Sequence, residues 1–342
     1  MFLIKKKSNN YLVAFFLIFS ISFAKNEPKP PEVHSKKEIT RILKKAPKLS
    51  KKNLRKLNIV LLASEKDHGL NEHDYPLWQE RWKRLLGGAV GSKDTTQINL
   101  FGPANKLSRK ERKQRADNVT VSTAWDWPTK EQFQNTDLIV AFSVIKWNNE
   151  YVGDLEKFLN NGGGFVTIHM SCVVPDGAGV EEEVAELIGL DWNWKFSRWR
   201  HGPMNLDIQS KNHPITLGLP QKIFFYDEAY WPLHGDINKV AVIGTSKETI
   251  GEIKIKDDQG KFKFDEISSI QHKWPKEPTK DEPMFWTHEY GKGRAYGCIL
   301  GHYTWTFDDP YFRLLLLRGM AWAAGESPYR FDPLVLTGAT VK

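Results

Sequence analysis

Three of the ten histidines stand at or just beyond the ends of apolar, strand-length runs that lie far apart in the sequence. His68 comes a few residues after the first run, His169 ends a central run and His302 follows the last run. In open parallel sheets, ligands bind beyond the carboxyl ends of the strands, because loops and helix N-termini converge there. Each histidine alone could be a cap or a packing residue, but together they are expected to line one cleft.

Imidazole suits two kinds of chemistry in such a cleft. It titrates near neutral pH as a general acid or base, and in its neutral form it binds divalent transition metals. Glu228 is the best candidate for a carboxylate that completes the set. We therefore predict His169, Glu228 and His302 as catalytic residues or as ligands of a divalent metal, with zinc the first choice. Their wide spacing resembles neither a zinc finger nor an H-E-x-x-H helix, so a metal-free polar pocket stays open as an alternative.

Aromatic and histidine side chains predict a substrate-binding surface around this cleft. The chain has 13 Trp residues, several of them in segments that should form loops at the cleft. Indole rings suit the apolar faces of sugar rings, although Trp also fills core volume. The residues predicted to bind substrate are His68, His73, Tyr75, Trp286 and Trp305.

Glycine patterns argue against a nucleotide cofactor. The three-glycine turn at residues 162–164 precedes an apolar run, whereas a dinucleotide-binding fingerprint follows a strand. The sequence also has no G-x-x-x-x-G-K motif of a phosphate-binding loop. We expect no nucleotide.

The elements that must position these residues alternate along the chain. Strand-like runs at 57–63, 119–124, 137–142, 162–169 and 294–300 are separated by helical patterns at 75–86, 129–134, 152–159 and 181–188. This alternation predicts an α/β fold in which a mostly parallel sheet has helices on both faces. Residues 191–279 are less regular and predict a β-rich elaboration, and an apolar helix over 311–324 closes the domain.

The N-terminus predicts export to the periplasm or the extracellular space. Three lysines precede an apolar run that ends in Ser22-Phe23-Ala24, so we predict a signal peptide over 1–24 and no membrane span after its removal. Residues 1–56 carry a net charge of +12, which leaves −4 for the other 286 residues. We interpret residues 25–56 as a basic tether that contributes no core face, and we expect no nucleic-acid partner. A homo-oligomer is compatible with the sequence.

Cys172 and Cys298 are the only cysteines. They could be two buried hydrophobic residues, or a single disulfide that an oxidising compartment permits. The sequence leaves both interpretations open.

Ordered motifs recur along the chain. They are Lys66-Asp-His-Gly69, Glu72-His-Asp-Tyr75, Gly162 to His169, His213 to Pro220, Asp227-Glu228, Pro283-Met-Phe-Trp286, Gly291 to Arg294, Gly301-His302 and Trp322 to Gly325. Together they resemble the ThuA-like (trehalose-utilisation) family, a branch of the class I glutamine amidotransferase-like superfamily. The resemblance covers residues 57–328 as one domain, and it leaves 329–342 as a C-terminal tail.

The resemblance implies a flavodoxin-like, doubly wound sheet and a role in carbohydrate metabolism. The implied substrate is a small carbohydrate, either a disaccharide or a keto sugar. An enzyme of hydrolase or isomerase type is one interpretation, and a non-catalytic sugar-binding protein is the alternative. True amidotransferases place a cysteine nucleophile at the turn where this chain has His169, with Cys172 three residues later. Glutaminase chemistry is therefore not expected.

Overall fold

The computed structural model describes residues 28–91, 94–104, 107–250, 257, 261 and 263–342. The predicted signal peptide, 1–24, lies outside the described residues. No helix in these ranges is long and apolar enough to span a bilayer.

Strands and helices alternate along the first half of the described chain, and strands dominate the second half. The strands are β1 (Leu57–Ala63), β2 (Val119–Trp125), β3 (Leu138–Phe142), β4 (Gly164–Ile168), β5 (Val173–Val174), β6 (Trp192–Asn193), β7 (Arg198–Ile208), β8 (Lys222–Trp231), β9 (Val240–Thr249), β10 (Thr279–Tyr290) and β11 (Gly293–Cys298). The α-helices are α1 (Lys36–Leu43), α2 (Tyr75–Gly87), α3 (Arg109–Arg112), α4 (Lys130–Asn135), α5 (Asn149–Asn160), α6 (Glu181–Ile188), α7 (Phe264–Ile270) and α8 (Pro310–Ala323).

The parallel half of the central sheet has the order β2-β1-β3-β4-β11. This is the 2-1-3-4-5 order of flavodoxin-like folds, with β11 as the fifth strand. Strands β3 and β4 are buried along their whole length, as expected where helices cover both faces. The predicted α/β fold with a flavodoxin-like, doubly wound sheet is confirmed.

An antiparallel half continues the same sheet. Strands β10, β9, β7 and β8 follow β11 in that order, and β8 forms the edge. The predicted β-rich elaboration therefore extends the central sheet, apart from a short β5–β6 pair. Strand β8 pairs with β7 over ten residues in unbroken register. This hairpin brings side chains from the far edge back toward the carboxyl ends of β4 and β11.

The closing helix α8 and the C-terminal segment form one packed unit. Arg318 is fully buried in α8 and makes two hydrogen bonds of 2.9 Å to the Asp332 carboxylate. Phe331 and Leu334 are buried beside it. Most of the predicted tail, 329–342, is thus fixed by a charge-assisted contact and by apolar burial.

The described part of the predicted tether, 28–56, packs on the domain. Helix α1 buries Ile39 completely and Ile42 almost completely, and Ile42 lies against the turn at Gly218. The backbone N–H of Lys36 donates to the carbonyl of Lys342 at 2.8 Å. The sequence showed the amphipathic spacing of this helix but not the surface that would cover it.

Replacing Ile39 by Ala should destabilise the protein by about 2 kcal/mol or more, because a buried aliphatic side chain would leave a cavity. Chemical denaturation of the two proteins measures this difference. Lys37→Ala, on the exposed face of the same helix, is the matched control and should change the free energy of unfolding little. Equal stability of the two variants would show that α1 contributes no core face.

Candidate functional site

Four buried side chains converge at the carboxyl edge of the parallel half. His169 follows β4, His302 follows β11, Glu228 lies on β8, and His73 lies in the loop between β1 and α2. Each offers one donor atom, and the four donor atoms all lie within 4.8 Å of one another. The structure therefore brings together the three predicted ligands and adds His73, which the sequence predicted only as a substrate-binding residue. We call these four residues the histidine cluster.

Hydrogen-bond distances link the members of the histidine cluster in pairs. His73 Nε2 lies 2.9 Å from both His169 Nε2 and His302 Nδ1. The Glu228 carboxylate oxygen Oε2 lies 3.0 Å from both His169 Nε2 and His302 Nδ1. One small ion or one proton network could therefore be shared by all four groups.

His169 occupies a sharp turn that fixes its ring. Its φ of 53° is in the left-handed region, which costs a non-glycine residue about 1–3 kcal/mol and is concentrated at functional sites. Its Nδ1 lies 2.6 Å from the carbonyl oxygen of Ile299. Because a carbonyl oxygen can only accept, Nδ1 carries a hydrogen, so that in the neutral ring Nε2 presents a lone pair to the cluster.

His73 is held in the same way by a carboxylate. Its φ is 41°, and its Nδ1 lies 2.9 Å from Asp67 Oδ1. A carboxylate can only accept, so His73 also presents the lone pair of Nε2 to the cluster. Tyr75, predicted to bind substrate, is fully buried and donates to Asp67 Oδ2 at 3.3 Å. Tyr75 thus supports His73 from behind.

Asp227, the neighbour of Glu228, fixes the loop that carries His302. Its carboxylate accepts from the backbone N–H groups of Gly301 and His302 at 3.2 and 3.0 Å, and from the Thr306 hydroxyl. Burial raises the pKa of Asp227, while His169 and the hydrogen bond from Thr306 oppose the rise. The two acidic residues of β8 therefore have separate roles: Asp227 holds the backbone and Glu228 faces the cluster.

Charge in the histidine cluster is unevenly distributed. Burial raises the pKa of Glu228, but His201 and His302 outweigh it and hold that pKa well below its usual range. Burial lowers the pKa of His302, but the Glu228 and Glu72 carboxylates outweigh burial and raise this pKa to about 10. Burial and the neighbouring histidines hold the pKa of His73 well below its usual range. Without a metal, the cluster is an ion pair between Glu228 and His302 beside a neutral His73.

The donor set fits a divalent transition metal. His169 Nε2 lies 2.9 Å from His73 Nε2 and 3.0 Å from Glu228 Oε2. A hydrogen on His169 Nε2 satisfies these contacts in the absence of a metal, and with both rings neutral the two Nε2 lone pairs and the Glu228 oxygen face one point that a cation can occupy. Three imidazole nitrogens and one carboxylate oxygen are ligands that zinc accepts, and each histidine nitrogen is oriented by a second hydrogen bond or ion pair, as in known metal sites.

Less buried polar residues surround the histidine cluster. His68 stacks at a tilt on His73 with ring centroids 3.8 Å apart, and Glu72 Oε1 lies 3.6 Å from His302 Nε2. His201 Nε2 donates to Glu228 Oε1 at 3.3 Å, and burial lowers the pKa of His201 to about 3 despite that carboxylate. His68, Glu72 and His201 are each partly exposed and so form the solvent-facing rim of the site.

Sequence reasoning missed Asp67, His201 and Tyr230 as members of the site. Asp67 stands directly before His68, and this adjacent Asp-His pair could have indicated a carboxylate that orients a histidine. His201 faces Glu228 only because the two are partners in the β7–β8 register, which the sequence does not show. The Tyr230 hydroxyl lies 3.1 Å from His169 Nε2 because it follows Glu228 on the same face of β8.

The two tryptophans predicted to bind substrate lie outside the site. Trp286 is fully buried on β10, where its ring fills the space above Gly297 and its Nε1 donates to the Ile188 carbonyl at 2.8 Å. Trp305 is almost buried and stacks on Tyr303 with ring centroids 4.1 Å apart. Trp286 is thus a core residue, and Trp305 supports the Tyr303 ring that contacts His302.

Cys172 and Cys298 are both buried and free. Burial raises the pKa of the Cys172 thiol, and the nearby Asp191 raises it further. A thiol that resists ionisation does not suit the nucleophile of a glutamine amidotransferase. The arrangement favours the interpretation of two buried hydrophobic residues.

Protein purified without chelators should contain one divalent metal per chain, and His302→Ala should remove most of it, because a central donor is lost. Elemental analysis measures the metal, and thermal unfolding shows whether each variant is folded. His213→Asn is the control: His213 caps a turn near Trp322, at the opposite edge of the sheet, and Asn can cap in its place. Unchanged metal content in folded His302→Ala protein would exclude this site.

Comparisons with known proteins agree with this architecture. A ThuA-like protein from Parabacteroides merdae ATCC 43184 is 17% identical and has a TM-score of 0.50, covering 80% of this chain and 91% of its own. A ThuA-like protein from Bacteroides uniformis ATCC 8492 is 15% identical and has a TM-score of 0.51, covering 81% and 96%. At these identities the likeness shows the fold. No curated protein matches the sequence.

The family model described as ThuA, trehalose utilisation, matches residues 89–323. The matched region contains His169, Glu228 and His302, while His73 precedes it. It spans more than half of the chain. The chain therefore belongs to the ThuA trehalose-utilisation family.

Proposed function

We propose that this protein is an exported, metal-dependent enzyme that acts on a disaccharide or a keto sugar. The observation that carries the proposal is the convergence of four buried ligand atoms, three histidine nitrogens and one Glu228 oxygen, within 4.8 Å of one another. The His73 and His169 rings are each oriented by a second hydrogen bond, as in known metal sites. The family's role in trehalose utilisation supports a sugar as the substrate class.

Zinc is the metal that we propose. His73, His169, Glu228 and His302 would hold it, since three imidazole nitrogens and one carboxylate oxygen are typical zinc ligands. When bound, it would act as a Lewis acid that polarises a hydroxyl or carbonyl oxygen of the sugar.

The rim residues would supply the remaining chemistry. Glu72 offers a carboxylate oxygen on the solvent-facing side of His302, where it can accept a proton from a sugar hydroxyl or from water. His201 can orient a sugar oxygen through its ring while its Nε2 holds Glu228 in place. His68 closes the opposite wall beside His73. The buried side of the site, formed by Tyr230 and Tyr75, excludes water.

Export is part of the proposal. The basic start, the apolar run and the small-x-small site at Ser22-Phe23-Ala24 are typical of a signal peptide. The site would then act on sugars outside the cytoplasm.

The test is turnover of trehalose, other glucose disaccharides and their 3-keto derivatives by the purified protein, with and without added zinc. Products are detected by NMR. We expect turnover that depends on metal, that falls at least about 100-fold in Glu228→Gln, and that persists in the His213→Asn control. Binding of these sugars without any turnover would instead favour a non-catalytic sugar-binding protein. The absence of both binding and turnover would overturn the proposal.

A further inference from the structure

Exposed aromatic rings form a row that leads away from the histidine cluster. Trp274 is 51% exposed and Phe224 is 37% exposed, with their ring centroids 6.0 Å apart. Tyr226 and His272 lie parallel to each other, at 12° and 6.4 Å. We call these four residues the aromatic row.

Strand geometry places the aromatic row on the same face as the catalytic carboxylate. Side chains two residues apart in a strand point to the same face, so Phe224, Tyr226 and Glu228 share one face of β8. Residues 223, 225 and 227 point to the other face and are buried. On this face Phe224 is exposed and Tyr226 is partly exposed, whereas Glu228 is buried.

Ring contacts connect the aromatic row to the histidine cluster without a break. His272 lies 5.8 Å from His201 between ring centroids, and His201 lies 4.3 Å from His302. From Phe224 to Glu228 the strand rises about 13 Å, at about 3.3 Å per residue, which is longer than one pyranose ring. The row therefore extends well beyond the space that a single sugar at the cluster would occupy.

Several polar side chains along the row can hydrogen-bond to hydroxyls. The Tyr226 hydroxyl and His272 Nδ1 form a 2.8 Å hydrogen bond at the edge of their rings. From β7, Asn205 stands opposite Phe224 and Pro203 opposite Tyr226, so that an amide and an apolar ring border the row. Aromatic faces with amide, hydroxyl and imidazole edges match the alternation of apolar faces and hydroxyl rims on a neutral saccharide.

We propose that the aromatic row binds the additional glucose-type units of a neutral oligosaccharide whose terminal unit lies at the histidine cluster. The proposal rests on the proposed function, and it extends the substrate from a disaccharide or keto sugar to a longer saccharide chain. Trp274 and Phe224 form the distal end of this binding surface, and Tyr226 with His272 forms its middle.

The test is calorimetric titration of the full mature protein with glucose, maltose, maltotriose and maltotetraose, and with the matching cello-oligosaccharides. We expect the affinity to rise with length by about 10-fold between glucose and the tetrasaccharide in at least one series, because longer chains cover more of the aromatic surface. In Trp274→Ala this rise should disappear while glucose affinity stays the same. Trp125→Ala, which removes an exposed tryptophan at the opposite edge of the sheet, should retain the rise.

The outcomes separate this inference from the proposed function. Sugar binding or turnover with no dependence on length, or a rise that survives in Trp274→Ala, overturns the inference and leaves the proposed function standing. The absence of both binding and turnover for every sugar overturns the inference and the proposed function together. Phe224→Ala is the second variant, and it should reduce tetrasaccharide affinity in the same direction if Trp274→Ala proves unstable.

Discussion

The contact between two buried imidazole rings, in which His73 Nε2 lies 2.9 Å from His169 Nε2, sets the requirements for the rest of the site. Neither ring can turn to relieve the contact, because Asp67 and the Ile299 carbonyl hold their other nitrogens. Both residues also have backbone angles in the left-handed region, which cost energy and need a rigid frame. With both rings neutral, a cation between them and Glu228 stabilises this arrangement.

The frame comes from the way the two halves of the sheet meet. The parallel half delivers His169 and His302 to one edge, since β4 and β11 are adjacent and run in the same direction. Glu228 arrives from the far edge strand of the antiparallel half, and Asp227 beside it ties that strand to the backbone at His302. Close packing occurs at the strand that the two halves share, because a Cβ at Gly297 of β11 would overlap the Trp286 ring of β10.

Much of this arrangement could be predicted from local sequence. Apolar runs ending in polar residues indicated the parallel strands, and parallel strands place their ends at one edge, so the convergence of His169 and His302 followed from a general rule. Features that depend on pairing between distant segments could not be predicted. His201 reaches Glu228 through a β-strand register, and Trp286 is a core residue because of Gly297 on the neighbouring strand. Helix α1 showed its amphipathic spacing in the sequence, yet the surface that it covers belongs to residues more than 170 positions away.

The central claim is that His73, His169, Glu228 and His302 hold one metal ion. Anomalous diffraction from a crystal of the purified protein, recorded on both sides of the zinc absorption edge, tests it most directly. We expect a single strong anomalous peak about 2.0–2.2 Å from His73 Nε2, His169 Nε2, His302 Nδ1 and a Glu228 oxygen. A zinc-soaked crystal with no peak among these four atoms, or with the two Nε2 atoms turned apart, would contradict it.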